Sequence, residues 1–242
     1  MVRAERDDDV LIVTLDRPDR RNAVDAPTLR ALAEVQAGVA DSGVRALVLT
    51  GAPPVFCAGA DLTGVEEGEF ARLLGGVLCG FGALTIPTIA AIHGAALGAG
   101  TQLAVACDLR IADPAARFGI PAAKLGLAVD AWTVHRLAGE VGPAVARSML
   151  LAAHEYTADR LHTMGAVHRL GDLDAAVAWA HELSQLAPLT IAAHKLALER
   201  IGAAPAGDEL VDAARAAVWA SADAAEGRRA FLEKRPPRFT GA

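Results

Sequence analysis

The chain has 242 residues, 53% of them hydrophobic, which suffices for one sizeable core, and α/β chains of this length form a single domain. A formal net charge of −6 and a pI near 5.6 argue against the basic surface that binds a phosphate backbone, so no nucleic acid is expected as a partner. Cys57, Cys79 and Cys107 have neither metal-ligand spacing nor a redox dithiol pattern and read as small buried hydrophobes in a reducing compartment, with no metal site expected.

The first ten residues are rich in Asp and Arg and lack the apolar stretch of a secretory signal, which makes the cytoplasm the default compartment. Residues 10–15 read as a strand. Asp25-Ala26-Pro27 then starts a helix, with proline in its first turn and Leu29, Leu32 and Val35 at helical spacing. Residues 46–50 form a short buried strand that runs into Val55-Phe56-Cys57-Ala58-Gly59-Ala60-Asp61-Leu62. A helix is expected over 66–79, and Pro87 marks the entry to a strand over 88–92.

The next block, Gly94-Ala95-Ala96-Leu97-Gly98-Ala99-Gly100-Thr101-Gln102-Leu103, reads as a turn over 94–100 and a helix over 101–106, followed by a strand over 109–112. A glycine-rich turn that opens a helix presents free backbone N–H groups, and together the two loops can polarise one carbonyl. The apolar region 83–107 is interrupted by Pro87, His93, Gln102 and several glycines, so it reads as a buried strand and helix and not as a transmembrane segment. The alternation predicts an α/β fold of stacked β-β-α or β-α units. From Thr157 onward helices are expected over 158–164, 173–186, 189–201, 210–219 and 222–234, the last capped by Ser221. Ala203-Ala204-Pro205-Ala206-Gly207 is linker-like, and Pro236-Pro237 ends the last helix.

Ordered motifs along essentially the whole chain resemble the crotonase superfamily, the enoyl-CoA hydratase and isomerase family. They are Leu15-Asp16-Arg17-Pro18 with Arg21-Asn22-Ala23, Phe56-Cys57-Ala58-Gly59-Ala60-Asp61-Leu62, Ile92-His93-Gly94, Leu97-Gly98-Ala99-Gly100, Cys107-Asp108-Leu109-Arg110, Phe118-Gly119 and Phe231-Leu232-Glu233-Lys234-Arg235. The resemblance implies a crotonase-like spiral of β-β-α units over 1–188 holding the acyl-CoA pocket. It also implies a helical region over 189–242 for trimerisation and coenzyme A contact, the whole acting as one continuous unit. The assembly would be a homotrimer or a dimer of trimers, and the ligand a fatty acyl-CoA or enoyl-CoA, coenzyme A entering as part of the thioester and not as a cofactor. By position, the backbone N–H groups of Ala60 and Ala99 would form the oxyanion hole. Ala99 stands where the family usually has glycine, and a backbone donor survives that change if the methyl group fits. Ala58, Asp61 and Leu62, flanking the first donor, and Gln102 and Ala122 would contact the bound thioester; Arg21 and Ala23 would line the coenzyme A channel. Phe231 and Lys234 would reach the nucleotide end from a neighbouring subunit. Arg21 in a polar turn and Lys234 beside Glu233 and Arg235 also read, on residue type alone, as solvated surface cations.

The sequence departs from the hydratases of the family where they carry two acid–base glutamates. Gln102 and Ala122 occupy those positions, and neither exchanges a proton near neutral pH. Asp130, in Gly126-Leu127-Ala128-Val129-Asp130-Ala131-Trp132, falls where some isomerases and a dehalogenase of the family place a functional acid; the same residue reads equally as the N-cap of a helix over 131–137. Asp61 reads as a structural brace of the loop, His93 and His135 as packing or surface residues, and Trp132 as core or as an acyl-chain wall. The absent glutamates, residues 127–132 and the ending Glu233-Lys234-Arg235-Pro236-Pro237-Arg238-Phe239-Thr240-Gly241-Ala242 are similar to a mycobacterial branch. That branch includes an acyl-CoA-binding member without hydratase activity, associated with mycolic acid synthesis. The expectation is therefore an acyl-CoA-binding protein that lacks ordinary hydratase turnover and delivers its ligand to fatty-acid elongation enzymes. The alternatives are an isomerase, hydrolase or hydratase using Asp130, and an interaction module with a vestigial pocket.

Overall fold

The computed structural model describes residues 1–61, 63, 67–125, 127–200, 213, 217 and 220–242, with the backbone alone at 67, 228, 231 and 232. The chain opens with β1 (Val2–Asp7), β2 (Val10–Leu15), α1 (Ala26–Ser42), β3 (Ala46–Gly51) and α2 (Glu67–Ala83). It continues through β4 (Thr88–Ile92), β5 (Ala95–Leu97), α3 (Ala99–Ala106), β6 (Leu109–Ala112) and β7 (Arg117–Gly119). Then come α4 (Ala131–Val141), α5 (Pro143–Leu151), β8 (Tyr156–Thr157), α6 (Ala158–Thr163), β9 (Arg169–Leu170), α7 (Leu173–Ser184), α8 (Pro188–Glu199) and, as α9, Ala222–Glu233.

The strands form two sheets, β1-β2-β3-β4-β6-β9 and β5-β7-β8, with every pair parallel except β1–β2 and β7–β8. Each passage along the chain places one strand in the large sheet, the next in the small one, and then, after β4 and β5, a helix. The earlier passages do the same in reduced form. After β2, Val24 bridges Ala60, and after β3, Cys57 bridges Ala96, each as a single isolated pair. The first glycine-rich loop is thus a degenerate second strand, and it lies against β5 for that reason.

Side chains alternate across each strand, so the large sheet feeds two cores. Leu47, Leu49, Ala90, Ile92 and Ala112 face the main core with α1, α2 and α3, while Ala46, Val48, Ile89, Ala91 and Ile111 face Ala176, Trp179 and Ala180 of α7. Burial on both faces explains why β3 and β4 are continuous apolar runs without polar alternation. Helix α1 begins where Asp25 accepts from the Thr28 N–H at 2.9 Å and ends at Gly43 with φ +70°.

The polar N-terminus, for which no element was expected, is an edge strand, exposed along almost its whole length and paired to β2. Several expectations are corrected. The turn expected over 94–100 contains β5, and its helix starts at Ala99, two residues earlier than position 101, because Gly98 already turns the chain at φ +52°. Helix α2 runs four residues past the expected end at 79, and its expected start at Glu66 lies outside the described residues. The C-terminal half is not purely helical: β8 and β9 return to the two sheets, and α5, unanticipated, starts on Pro143. Helices α6 to α9 otherwise follow the expected segments within two residues, and the Ser221 hydroxyl accepts from the Ala224 N–H at 3.1 Å as the predicted cap. The helix expected over 210–219 lies, apart from positions 213 and 217, outside the described residues.

Cys57 and Cys107 are buried, but Cys79 is exposed, because the inward stripe of α2 is Leu74, Val77, Leu78 and Phe81, and position 79 falls off it. Helix α8 docks through Lys195, whose ammonium donates to Phe81 O at 3.1 Å, Ile86 O at 2.9 Å and Asp108 Oδ2 at 2.7 Å. Among the described residues no helix is long and apolar enough to cross a membrane.

Candidate functional site

The first loop is held from below by Asn22, which is 1% exposed and has φ +55°, a left-handed conformation that asparagine tolerates better than most residues. Its Nδ2 donates to Ala52 O at 2.6 Å and Val55 O at 2.7 Å, and its Oδ1 accepts from the Arg17 N–H at 2.9 Å. Arg17 in turn donates to Ala23 O at 2.5 Å and pairs with Asp25 and Asp61, each at 3.0 Å. The Asp61 carboxyl is drawn down to about 2, first by the hydroxyl and N–H of Thr63 and then by Arg17. Asp61 therefore stays ionised and braces the loop, although its charged partner is a side chain and not the backbone alone.

The second loop is tied at both ends. Gly98 N–H donates to Gly119 O at 2.9 Å, and the Thr101 hydroxyl lies 2.6 Å from Ala96 O and 2.8 Å from Gly119 O. The loops then cross. Cys57 N–H donates to Ala95 O and Leu97 N–H to Cys57 O, both at 2.9 Å. Gly59, with φ +121°, sits so close that a β-carbon on it would lie 3.1 Å from Leu97 O and 4.0 Å from Ala99 N. Only glycine combines that backbone angle with that approach.

At this crossing the N–H groups of Ala60 and Ala99 have no acceptor among the described residues. Ala99 is the first residue of α3, where a free N–H is intrinsic to the helix, and its methyl group is buried in the main core. The substitution of the usual glycine is thus accommodated. Ala58 is anchored by its own N–H to Arg21 O at 3.0 Å.

Around the crossing, the positions expected to matter divide. Gln102 is 6% exposed and its Nε2 donates to the Thr133 hydroxyl at 2.7 Å. Ala122 is half-buried in a 3-10 turn, Pro121–Lys124, and carries no ionisable atom. Asp130 is exposed and caps α4, its Oδ1 accepting from the Thr133 N–H at 2.9 Å, so the capping geometry is real and the carboxylate still faces solvent. The charge of Asp130 reaches Cys79, a residue exposed at the surface but with its thiol partly desolvated by neighbours; that desolvation first, and the charges of Asp130 and Glu199 next, push the thiol up. Trp132 is half-buried and packs on the main core.

Arg21 is exposed, with φ +50°, while Ala23 is half-buried beside Arg17. Lys234 is exposed beyond α9, and no hydrogen bond or ion pair among the described residues links it to either loop. Leu62 and the side chain of Phe231 lie outside the described residues.

Cys57 is buried, and that burial pushes its thiol up to about 12, which disfavours the nucleophilic thiolate. His93 is half-buried, its Nε2 is without a partner among the described residues, and burial lowers its pKa; His135 is exposed. Among the described residues no three His, Cys, Asp or Glu side chains could hold a metal. Asn22, Arg17 and Thr133 are the site residues that sequence reasoning left without a role. The available signal for the first of them was Asn22 standing between the polar turn 17–21 and the apolar Ala23-Val24.

Strands dealt alternately to two sheets, with glycine-rich loops crossing where two N–H groups have no acceptor among the described residues, define an α/β protein of the two-sheet spiral kind. The enoyl-CoA hydratase/isomerase family model matches residues 5–242, and the chain belongs to that family. It is 44% identical over 239 residues to the probable enoyl-CoA hydratase echA6 of Mycobacterium tuberculosis (strain CDC 1551 / Oshkosh), covering 96% of each chain. It is 36% identical over 243 residues to the 2,3-dehydroadipyl-CoA hydratase of Escherichia coli, covering 96% of this chain and 95% of that one. The crystal structure of enoyl-CoA hydratase EchA1 from Mycobacterium marinum superposes with a TM-score of 0.85 at 36% identity, covering 100% of this chain and 99% of that one. An enoyl-CoA hydratase from Bacillus anthracis gives 0.92 at 26% identity, with coverage of 100% and 99%. The fold is the crotonase fold.

Proposed function

We propose that the chain binds fatty acyl-CoA thioesters in the cradle between the two loops, with the carbonyl oxygen accepting from the N–H groups of Ala60 and Ala99, and that it lacks ordinary hydratase turnover. The observation that carries this reading is the coexistence of two free backbone donors with Gln102 and Ala122. The donors depend on backbone geometry and survive side-chain changes, whereas hydration needs one group to activate water and another to deliver a proton to the α-carbon. Each such group contributes roughly 10² to 10⁴ in rate, so an intact cradle without them binds more than it converts. Arg21, Ala23 and the Phe231–Lys234 end would meet coenzyme A itself, and Trp132 the acyl chain. The same reading includes a homotrimer or dimer of trimers, testable by solution mass, and delivery of the bound acyl group to fatty-acid elongation enzymes.

Calorimetry with acyl-CoAs of increasing chain length tests the binding; no heat with any of them would leave the pocket vestigial. Steady-state assay with crotonyl-CoA tests the rest, and turnover above about one per second would overturn it. A second reading, an isomerase or hydrolase using Asp130, is favoured by the exposure of that carboxylate at the α4 N-terminus. Asp130→Asn separates the two: turnover in the parent that is abolished in the variant, with binding kept, establishes catalysis.

A further inference from the structure

We infer that Thr133 is a positioning residue of the thioester pocket, linking the helix that carries the second oxyanion donor to the helix capped by Asp130. It rests on the reading of the crossing as a thioester site. Two bonds meet on this one residue, which is 0% exposed: its hydroxyl accepts from Gln102 Nε2 at 2.7 Å, and its N–H donates to Asp130 Oδ1 at 2.9 Å. Gln102 lies one turn into α3, and its own N–H donates to Gly98 O at 3.0 Å, the residue that precedes the donor Ala99. The chain Gly98, Gln102, Thr133, Asp130 therefore runs from the oxyanion turn to the exposed carboxylate.

Two consequences follow. The carboxamide of Gln102 commits one of its two N–H donors to the Thr133 hydroxyl, so position 102 acts on the pocket by holding α4. Asp130 has one oxygen engaged by the helix N-terminus, and its placement relative to Ala99 is set through Thr133 and not through loop 120–130 alone. A hydroxyl at 133 is needed for this; a β-branched apolar isostere fills the space without making the link.

The test is Thr133→Val beside Thr133→Ser, read by amide hydrogen exchange and by calorimetry with lauroyl-CoA, with coenzyme A alone as control. Loss of one neutral hydrogen bond at a preorganised site predicts about 3–10-fold weaker lauroyl-CoA binding in Thr133→Val, with unchanged coenzyme A binding and recovery in Thr133→Ser. Exchange should quicken at Gly98 and Gln102 on the far helix as well as at residues 131–134. Quickening confined to 131–134, or wild-type exchange and affinity throughout, overturns the link. If the parent protein binds no lauroyl-CoA yet Thr133→Val quickens exchange at Gly98 and Gln102, the link stands and the thioester reading fails. Thr133→Val that does not fold is replaced by Gln102→Ala, which removes the same bond from the other end and must give the same far-helix pattern in reverse, at 131–134.

Discussion

Restoring the two carboxylates is the sharpest perturbation of the proposed site. In the Gln102→Glu/Ala122→Glu variant, the backbone cradle is untouched and only proton exchange is added. If each acid–base group contributes roughly 10² to 10⁴, the parent lacks about 10⁴ to 10⁸ in rate, but paired groups act as a unit and single restorations recover little. Each single variant should therefore gain no more than about tenfold, and the double variant at least about 10³ over the parent. The structure supports the direction for position 102. A carboxylate replacing a side chain that is 6% exposed would be desolvated, which raises its pKa toward neutrality, while the Thr133 hydroxyl can turn to donate to it. Position 122 is half-buried after Pro121, where the methyl group of Ala122 packs at the margin of the main core, so a glutamate there must direct its carboxylate away from that contact. The assay is the loss of enoyl absorbance from crotonyl-CoA, with binding measured in parallel. A double variant that folds and binds crotonyl-CoA but turns over no faster than the parent would refute the reasoning, because the oxyanion donors would then not be poised.

Asn22→Ala should lower stability by about 2–4 kcal/mol in chemical denaturation, since it strands two carbonyls and the Arg17 N–H, and it should weaken acyl-CoA binding along with it. Gly59→Ala combines an unfavourable φ with a close approach to Leu97 O; a cost of about 1–3 kcal/mol and at least roughly tenfold weaker thioester binding are expected by thermal unfolding and calorimetry. Lys195→Met removes the counter-charge of Asp108 and the donor to the carbonyls of Phe81 in the last turn of α2 and Ile86 before β4, with about 3–5 kcal/mol lost by urea titration. For Asp61, a folded-state value near 2 against the usual 3.8 means its contribution is fully present above about pH 4 and is lost as pH falls through 2. Asp61→Asn should be less stable than the parent at pH 6, with the gap closing between pH 4 and pH 2.

How much of this was legible in the sequence follows from where each signal resides. Strand cores such as residues 46–50 and 88–92 were readable because burial on both faces writes an uninterrupted apolar run. Helix starts at Asp25, Asp130 and Ser221 were readable because capping is local. By contrast β1 is polar and exposed, and its pairing with β2 comes from hydrogen bonds that leave no hydrophobic trace. β5 was hidden because three residues between Gly94 and Gly98 read as a turn, although they pair with β7. At the site, the glycine motifs announced the crossing, since φ +121° at Gly59 demands glycine. Thr133 was invisible because its two partners, Gln102 and Asp130, belong to different helices, and only the packing of α3 on α4 brings Gln102 within reach of it.

On the proposed reading, the same division explains how a cradle persists without hydratase chemistry. The groups that shape the crossing (Asn22 beneath the first loop, Arg17 with Asp61, Thr101 and Gly98 on the second) are engaged with the protein itself. A buried carboxylate at position 102 would carry a desolvation penalty, which the neutral amide avoids while still bonding Thr133. Stability and acid–base chemistry therefore pull in opposite directions at this residue. Gln102 lies on the stable side, whereas the N–H groups of Ala60 and Ala99, without an acceptor among the described residues, are indifferent to that choice, as the proposed binding without hydratase turnover requires.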